Sequence, residues 1–567
     1  MSNSFKTALR WLLPLSFLAL FYFYPLLSIF QTSFQLGETG LLDPFIEAIR
    51  SPTIKRVISF TFWQALLSMI LTLALGLPGA YLLGRFDFPG KSFLRAVTGV
   101  PFVMPTVVVA AGFNALLGSN GWVNVSLMSI LNLSEPPIRF INSLSAILVA
   151  HVFYNTTIVL RMVGDFWSHL DPKLGQAASI LGANRWVVLR RITIPLLLPV
   201  ITASALLVFL FDFTSFGVVL ILGGPQFATL EVEIYYQTIS LFNLPLASIL
   251  SIFQLCCTLL ITLVYTRLSS GLSKPLVLRS QQIIMKRFNT WKSRIFAFLM
   301  IGLLLILLTS PLLALASRSV VSLEARRDPT GEVSRGINLN FYRELGQNRQ
   351  ESLFYVPPTT AIGISLTYAA ATVILAIVVG TPAAWALAQE GDSWLNRILD
   401  PVLMLPLGTS AVTLGLGFII ALAHPPMDLR TSPLLIPIAH ALVAFPFVVR
   451  SLTPALRSIQ PGLRQAAAVL GASPLQVLRH IDIPIVGKAL LVAATFAFTI
   501  SIGEFGATSL IYRPEYPTIP IVIYRLLSRP GAMNYGQALA LSTILMGVTI
   551  AGMIAIEKFR IADIGEF

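Results

Sequence analysis

Gln176-Ala-Ala-Ser-Ile-Leu-Gly-Ala-Asn-Arg-Trp-Val-Val-Leu-Arg-Arg-Ile-Thr-Ile-Pro195 is answered further along the chain by Gln465-Ala-Ala-Ala-Val-Leu-Gly-Ala-Ser-Pro-Leu-Gln-Val-Leu-Arg-His-Ile-Asp-Ile-Pro484. Gln465, Gly471 and Pro484 each stand 289 residues after Gln176, Gly182 and Pro195, so the stretch is a duplicated unit. Leu174, Ala177, Ala178 and Leu181 recur at i, i+3, i+4 and i+7, as do Leu463, Ala466, Ala467 and Leu470. That spacing puts small and apolar side chains on one stripe of a short amphipathic helix. Asp171 ahead of Pro172 supplies an N-cap and a proline at the first helical position, Pro461 repeats the proline, and Gly182 or Gly471 permits the sharp turn that ends the helix. A basic segment follows, with Arg185, Arg190 and Arg191 in one copy and Arg479 and His480 in the other.

Each copy sits between long apolar runs. Of 567 residues, 55% are hydrophobic and 11% charged, and the mean hydropathy is +0.80. A polytopic membrane protein follows, of all-α class. The net charge of +14 is accounted for by the lysine and arginine bias of cytoplasmic loops rather than by nucleic-acid binding. Cys256 and Cys257 are adjacent inside an apolar run, where they form neither an ordinary bridge nor a metal site; no metal ligands are assigned. Lys6 and Arg10 precede a run too long for the core of a cleaved signal peptide, which reads as a first span with its N-terminus inside.

A span needs about 20 mostly apolar residues. By that rule the chain offers twelve, at roughly 11–32, 57–84, 96–118, 143–162, 196–223 and 246–268, then 295–317, 360–388, 399–423, 433–451, 486–512 and 535–556. The 289 offset runs without a gap from His151 and Arg161 (His440 and Arg450) to Phe216-Gly217 (Phe505-Gly506), and it holds again at Tyr235 and Tyr524. Earlier spans align at other offsets, as Gly76-Leu-Pro78 with Gly380-Thr-Pro382. Two homologous six-helix bundles related by a pseudo-twofold axis along the membrane normal are expected. The boundaries are 1–268 for the first, with its loop at 165–195, 269–294 for a basic linker, and 295–567 for the second, with an external loop at 318–358 and its paired loop at 454–484.

The duplicated stretch resembles the cytoplasmic coupling loop of importer permeases of the ATP-binding-cassette class, whose pattern is Glu-Ala-Ala, then Gly, then Ile-x-Leu-Pro. Gln176 and Gln465 replace the leading glutamate, so an ion pair made there by the family is replaced at most by an amide hydrogen bond. The resemblance implies that Gln176, Ala177, Ala178, Gly182, Arg185 and Pro195, with Gln465, Ala466, Ala467, Gly471 and Pro484, contact two separate ATPase subunits. It also implies an external solute-binding protein and a plasma (inner) membrane location. No Gly-x-x-x-x-Gly-Lys-[Ser/Thr] occurs in the chain, so no cofactor is expected on it and ATP belongs to the partners. Phe60-Thr-Phe-Trp-Gln-Ala65, Ala150-His-Val-Phe-Tyr-Asn155, Leu222 to Tyr235 and Ile500-Ser-Ile-Gly-Glu-Phe-Gly506 narrow the resemblance to the branch serving thiamine and ferric iron, closer to the thiamine side.

Carboxylates inside a bilayer cost about 2.5–3.5 kcal/mol on insertion scales and are functional candidates by default. Asp212 and Glu504 lie on corresponding spans, yet by the offset Asp212 matches Ser501 and Glu504 matches Ser215. One reading is an acidic path for a cationic solute, with Phe209, Phe213, Phe498 and Phe505 able to offer ring faces and Phe216 on the same path; the other has each acid hydrogen-bonded by neighbouring Ser and Thr at a helix contact, with the phenylalanines facing lipid. His151 and His440 suit a metal or simple packing. Glu231 and Glu233 read as lying just outside the membrane, at a partner surface, a gate or a solvated loop. Two other classes of function stay open. A secondary transporter driven by an ion gradient also has twelve spans in two halves, but it has no use for paired loops. A membrane enzyme would need an external nucleophile-and-base cluster, and none is apparent.

Overall fold

The computed structural model describes residues 3–34, 43–171, 173–270, 288, 290–327, 333–337, 339–347, 356–389, 394–423 and 428–559. Most of the basic linker at 269–294, and parts of the external loop, lie outside the described residues. Among the described residues eleven helices are long and apolar enough to cross a membrane, and one bent pair brings the total to twelve. The first half comprises α1 (Arg10–Ser33), α2 (Pro52–Arg85), α3 (Lys91–Val103), α4 (Thr106–Leu117), α5 (Leu144–His169), α6 (Lys173–Ile180), α7 (Ile194–Phe213), α8 (Leu230–Ile239) and α9 (Leu244–Ser270). The second comprises α10 (Trp291–Val320), α11 (Pro358–Gln389), α12 (Trp394–Met404), α13 (Ala411–Ala421), α14 (Leu435–Arg457), α15 (Pro461–Val469), α16 (Ile483–Gly503), α17 (Gly506–Ile511), α18 (Ile519–Leu527) and α19 (Ala532–Phe559).

Small residues set the packing, as they do where lipid offers helices no hydrophobic reason to associate. A β-carbon added at Gly76 would stand 2.7 Å from Val159, and one at Gly380 would stand 2.7 Å from Val448. Val448 lies 289 residues after Val159, so the α2–α5 and α11–α14 contacts are one contact built twice.

The two halves exchange their first helices. Phe17 on α1 meets Phe445 on α14 with ring centroids 6.5 Å apart, and the Tyr22 hydroxyl lies 2.6 Å from Thr409 Oγ1. In return Trp122 Nε1 donates to Ser317 on α10 at 2.9 Å. Gly417 on α13 leaves only 2.9 Å between an added β-carbon and Pro25, and Gly112 on α4 only 2.8 Å to the Pro311 carbonyl oxygen. Neither crossing is readable from local sequence, because each depends on a neighbour hundreds of residues away.

Two predicted spans in each half differ in detail from continuous helices. The expected span at 96–118 is interrupted at Met104-Pro105, between α3 and α4, and its counterpart is bent by 95° between α12 and α13. Proline removes a donor and pushes the residue before it out of the helical region, which accounts for the first break. The spans expected at 196–223 and 486–512 stop at Phe213 and Gly503 and restart beyond. Between these breaks and the last span of each half, α8 and α18 are short buried helices that the hydropathy pattern did not reveal. Each takes an N-terminal cap from the second helix of its half: Thr61 Oγ1 accepts from Leu230 N at 3.0 Å and Ser365 Oγ from Ile519 N at 2.8 Å. The loop expected to be external contains two antiparallel strands, β1 (Val321–Arg327) and β2 (Val333–Ile337).

Gly112→Ala forces a methyl group onto the Pro311 backbone and is expected to cost about 1–3 kcal/mol, the usual range for overpacking. Gly302→Ala, with open space around its added β-carbon inside α10, should leave stability unchanged or raise it by up to about 1 kcal/mol. Denaturant titration in detergent reads both, and equal midpoints would refute the helix-exchange contact as a stabilising one.

Candidate functional site

Both copies of the duplicated stretch fold the same way. Lys173 N donates to Asp171 Oδ1 at 2.9 Å, the expected N-cap. Each helix ends in a left-handed glycine, Gly182 at φ 87° and Gly471 at φ 82°, with Ala183 N bonded to Ala178 O and Ala472 N to Ala467 O, both at 3.0 Å. Asn184 then caps the next turn by accepting from Val187 N, and Ser473 accepts from Gln476 N at the matching place. A wide π turn follows in each copy, with Ile194 N bonded to Leu189 O and Ile483 N to Leu478 O. Pro195 and Pro484 explain it: each lacks the N–H that an α-helix would aim four residues back, and the ladder widens around the gap.

Exposure is the second shared property. Gln176, Ala177, Gly182, Pro195, Gln465, Ala466, Gly471 and Pro484 are exposed, and Ala178 and Ala467 half-buried; the side chain of Arg185 lies outside the described residues. Ile180 and Leu181 are 87% and 88% exposed, and Val469 and Leu470 are 87% each. Trp186 and Leu475 are exposed as well. Apolar tips repeated at one offset and left without a partner mark a contact surface. Beside the second copy lies a groove of about 320 Å³ lined by Ala467, Leu470, Gln476 and His480. The copies differ in their tethers. Arg464 donates to Asp482 Oδ1 at 2.9 Å and sits 5.1 Å from the Trp385 ring, whereas the matching positions in the first copy are Gly175 and Thr193.

The second locus is at the junction of the halves. Phe216 and Phe505, repeat-related by the 289 offset, stack on each other with centroids 5.5 Å apart and planes at 25°. Tyr235 packs 5.4 Å from Phe216, and Tyr524 5.4 Å from Phe505. The two tyrosines are also repeat-related, so four rings form a symmetric cluster. Gly217 makes room for it and for Thr106: a β-carbon there would come within 3.1 Å of Phe505 and closer still to Thr106 Oγ1, while one at Gly506 would come within 3.0 Å of Ala411 on α13. Tyr235 and Tyr524 were visible in the repeat, but nothing in the sequence marked them as axial.

The carboxylates lie buried at helix contacts. Asp212 is wholly buried; its Oδ1 accepts from Asn155 Nδ2 at 2.6 Å and lies 3.3 Å from His151 Nδ1. Glu504 is buried too, accepting from Ala507 N at 2.8 Å and Thr508 N at 2.9 Å, with His440 Nε2 at 3.2 Å. Both acids therefore sit at helix contacts in this conformation, each beside a histidine. Phe213 packs against Phe62 and Phe209 of its own half, away from the axial pair. Glu231 corrects a further expectation: it is wholly buried, not at an outer surface. It accepts from Gln254 of its own half and from Ser410 Oγ of the other half at 2.6 Å. No group of three or more His, Cys, Asp or Glu side chains suited to a metal occurs among the described residues.

Comparison with known proteins adds a context to this geometry. A family model described as the inner membrane component of binding-protein-dependent transport systems matches residues 76–274 and 376–560. The thiamine transport system permease protein of Salmonella typhimurium is 27% identical over 502 residues, 88% of each chain, and that of Escherichia coli is 26% identical over 89% of this chain and 90% of its own. A probable ABC transporter permease of Sinorhizobium fredii is 24% identical over 96% of this chain and 95% of its own. Among solved structures, a bacterial ABC transporter involved in the import of alginate matches 48% of this chain and 100% of its own, at 20% identity and a TM-score of 0.38.

Arg464→Ala removes a charge-assisted bond, whose loss is expected to speed amide exchange over residues 461–472 about tenfold. Exchange over 173–183 stays as it was. Hydrogen exchange followed by mass spectrometry separates the two copies, and uniform acceleration would contradict a local tether.

Proposed function

The chain belongs to the family of binding-protein-dependent transport inner membrane components; it is an ABC importer permease with both membrane halves in one polypeptide, and we propose that it carries a thiamine-like organic cation inward. In this reading two separate ATPase subunits dock on α6 and α15, a solute-binding protein delivers the cargo from outside, and all ATP is held by the partners. The inner membrane is its location and the N-terminus is cytoplasmic, in keeping with the basic loops that the chain places on that side.

One observation carries the coupling part: the two exposed, identically built helices 289 residues apart. Closure of two docked ATPases would move them together, and the rigid spans above them would pass that motion to the junction of the halves. There the Phe216–Phe505 stack closes the path, because two rings in contact leave no room for a solute between them. Parting the halves opens a passage walled by aromatic faces, which attract a cation through the ring quadrupole. That property, and the similarity to thiamine permeases over 88–89% of its length, favour an aromatic cation as cargo. The carboxylates enter this mechanism as fixed partners of the histidines.

Reconstitution with its ATPase and binding protein tests the reading directly. Valine is strained at φ above +80°, so Gly182→Val with Gly471→Val should abolish ATP-dependent thiamine uptake in vesicles while the protein remains monodisperse. Leu181→Asp with Leu470→Asp should prevent co-purification of the ATPase. Uptake driven by an ion gradient without any ATPase would overturn the importer mechanism, and uptake of a different solute alone would change the cargo.

A further inference from the structure

The mismatch between Asp212 and Glu504 resolves around the two histidines. His151 Nδ1 lies 3.3 Å from Asp212 Oδ1 and 3.0 Å from Ser68 Oγ, and its Nε2 lies 2.8 Å from Ser215 Oγ. His440 reverses the arrangement: Nδ1 lies 2.8 Å from Ser501 Oγ, and Nε2 lies 3.2 Å from Glu504 Oε2 and 2.7 Å from Thr508 Oγ1. Ser501 matches Asp212 and Glu504 matches Ser215 by the 289 offset. Each imidazole thus meets one acid and one hydroxyl on the broken helix, with the two exchanged between its nitrogens. Behind Ser501 stands Thr372 at 3.1 Å, on α11 as Ser68 is on α2.

These contacts fall where the backbone is broken. Ser215 N reaches Asp212 O at 3.4 Å and Glu504 N reaches Ser501 O at 3.4 Å, and the next residue in each half is a phenylalanine of the axial stack. A non-helical stretch at membrane depth survives only where protein groups hold it. We propose that His151 and His440 are positioning residues that clamp these two breaks and so hold Phe216 and Phe505 stacked in the closed path. The acid can stand at either position because an imidazole can present its proton from either nitrogen. On this assignment His151 carries it on Nδ1, 3.3 Å from Asp212, and His440 carries it on Nε2, 3.2 Å from Glu504. Duplication of one unit has in this way left two clamps of the same construction and opposite tautomer.

The proposal rests on the Phe216–Phe505 pair as the closure, but not on the cargo or the ATPase, so its test uses the resting chain alone. In a background with Cys256 and Cys257 replaced by serine, Phe216→Cys with Phe505→Cys is cross-linked by a short bis-thiol reagent in detergent. His151→Ala or His440→Ala should slow cross-linking about tenfold, the consequence of losing the buried hydrogen bonds that each imidazole makes to hydroxyls beside an acid. Asparagine places its amide near the Nδ1 position of histidine and glutamine near the Nε2 position. Cross-linking should accordingly be restored by His151→Asn but not His151→Gln, and by His440→Gln but not His440→Asn. The conservative variants keep the test open should the alanine proteins fail to fold. Wild-type cross-linking in monodisperse alanine variants would overturn the proposal. Rescue by the same amide at both positions would overturn the opposite tautomers. Cross-linking that responds to the histidine variants as expected, in a protein whose unsubstituted form takes up no thiamine, would count against the cargo reading alone.

Discussion

A bilayer offers the backbone no hydrogen-bond partner, so wherever this chain leaves the helical path it must supply partners of its own. It does so at every break. Pro195 and Pro484 are absorbed by π turns that shift the ladder by one residue. The starts of α8 and α18 are capped by Thr61 and Ser365 from a neighbouring helix. Glu504 accepts from the first N–H groups beyond its break, and Gln64 Nε2 donates to the Asp212 carbonyl at 2.8 Å. The polar residues buried at the junction of the halves are there because the backbone is irregular there.

That constraint also explains why intramembrane charge is a guide to placement more than to chemistry. Asp212 and Glu504 drew attention as candidate cargo ligands because a buried carboxylate is costly. The cost is instead offset by histidine, asparagine, threonine and backbone donors at helix contacts. Glu231 shows the same logic between halves, binding Ser410 at the N-terminal end of α13. Since Pro520 stands at the matching place, this link exists once, and with the Arg464–Asp482 tether it makes the two halves similar in plan and unequal in detail.

Much was legible in the sequence, for physical reasons that are easy to name. Apolar runs reveal spans because their length is set by membrane thickness, and all twelve positions correspond to helices or to the bent and broken segments described above. The paired loops were legible because caps, prolines and left-handed glycines act through neighbours within a turn. The exposure of Leu181 and Leu470 follows from the same local geometry. Less legible were α8 and α18, too short for a hydropathy window and buried in protein instead of crossing lipid.

The sequence by itself determined the helical class, the number of spans, the duplication at an offset of 289 and the construction of the two loops, because each is written in local spacing. Only the tertiary structure decided that α1 and α10 pack on the opposite halves and that Phe216 meets Phe505 rather than lipid. It also decided that an acid and a serine could trade places around one histidine. These outcomes depend on which surfaces meet after folding, and a ring or an imidazole does not record in its own sequence neighbours which distant groups will face it.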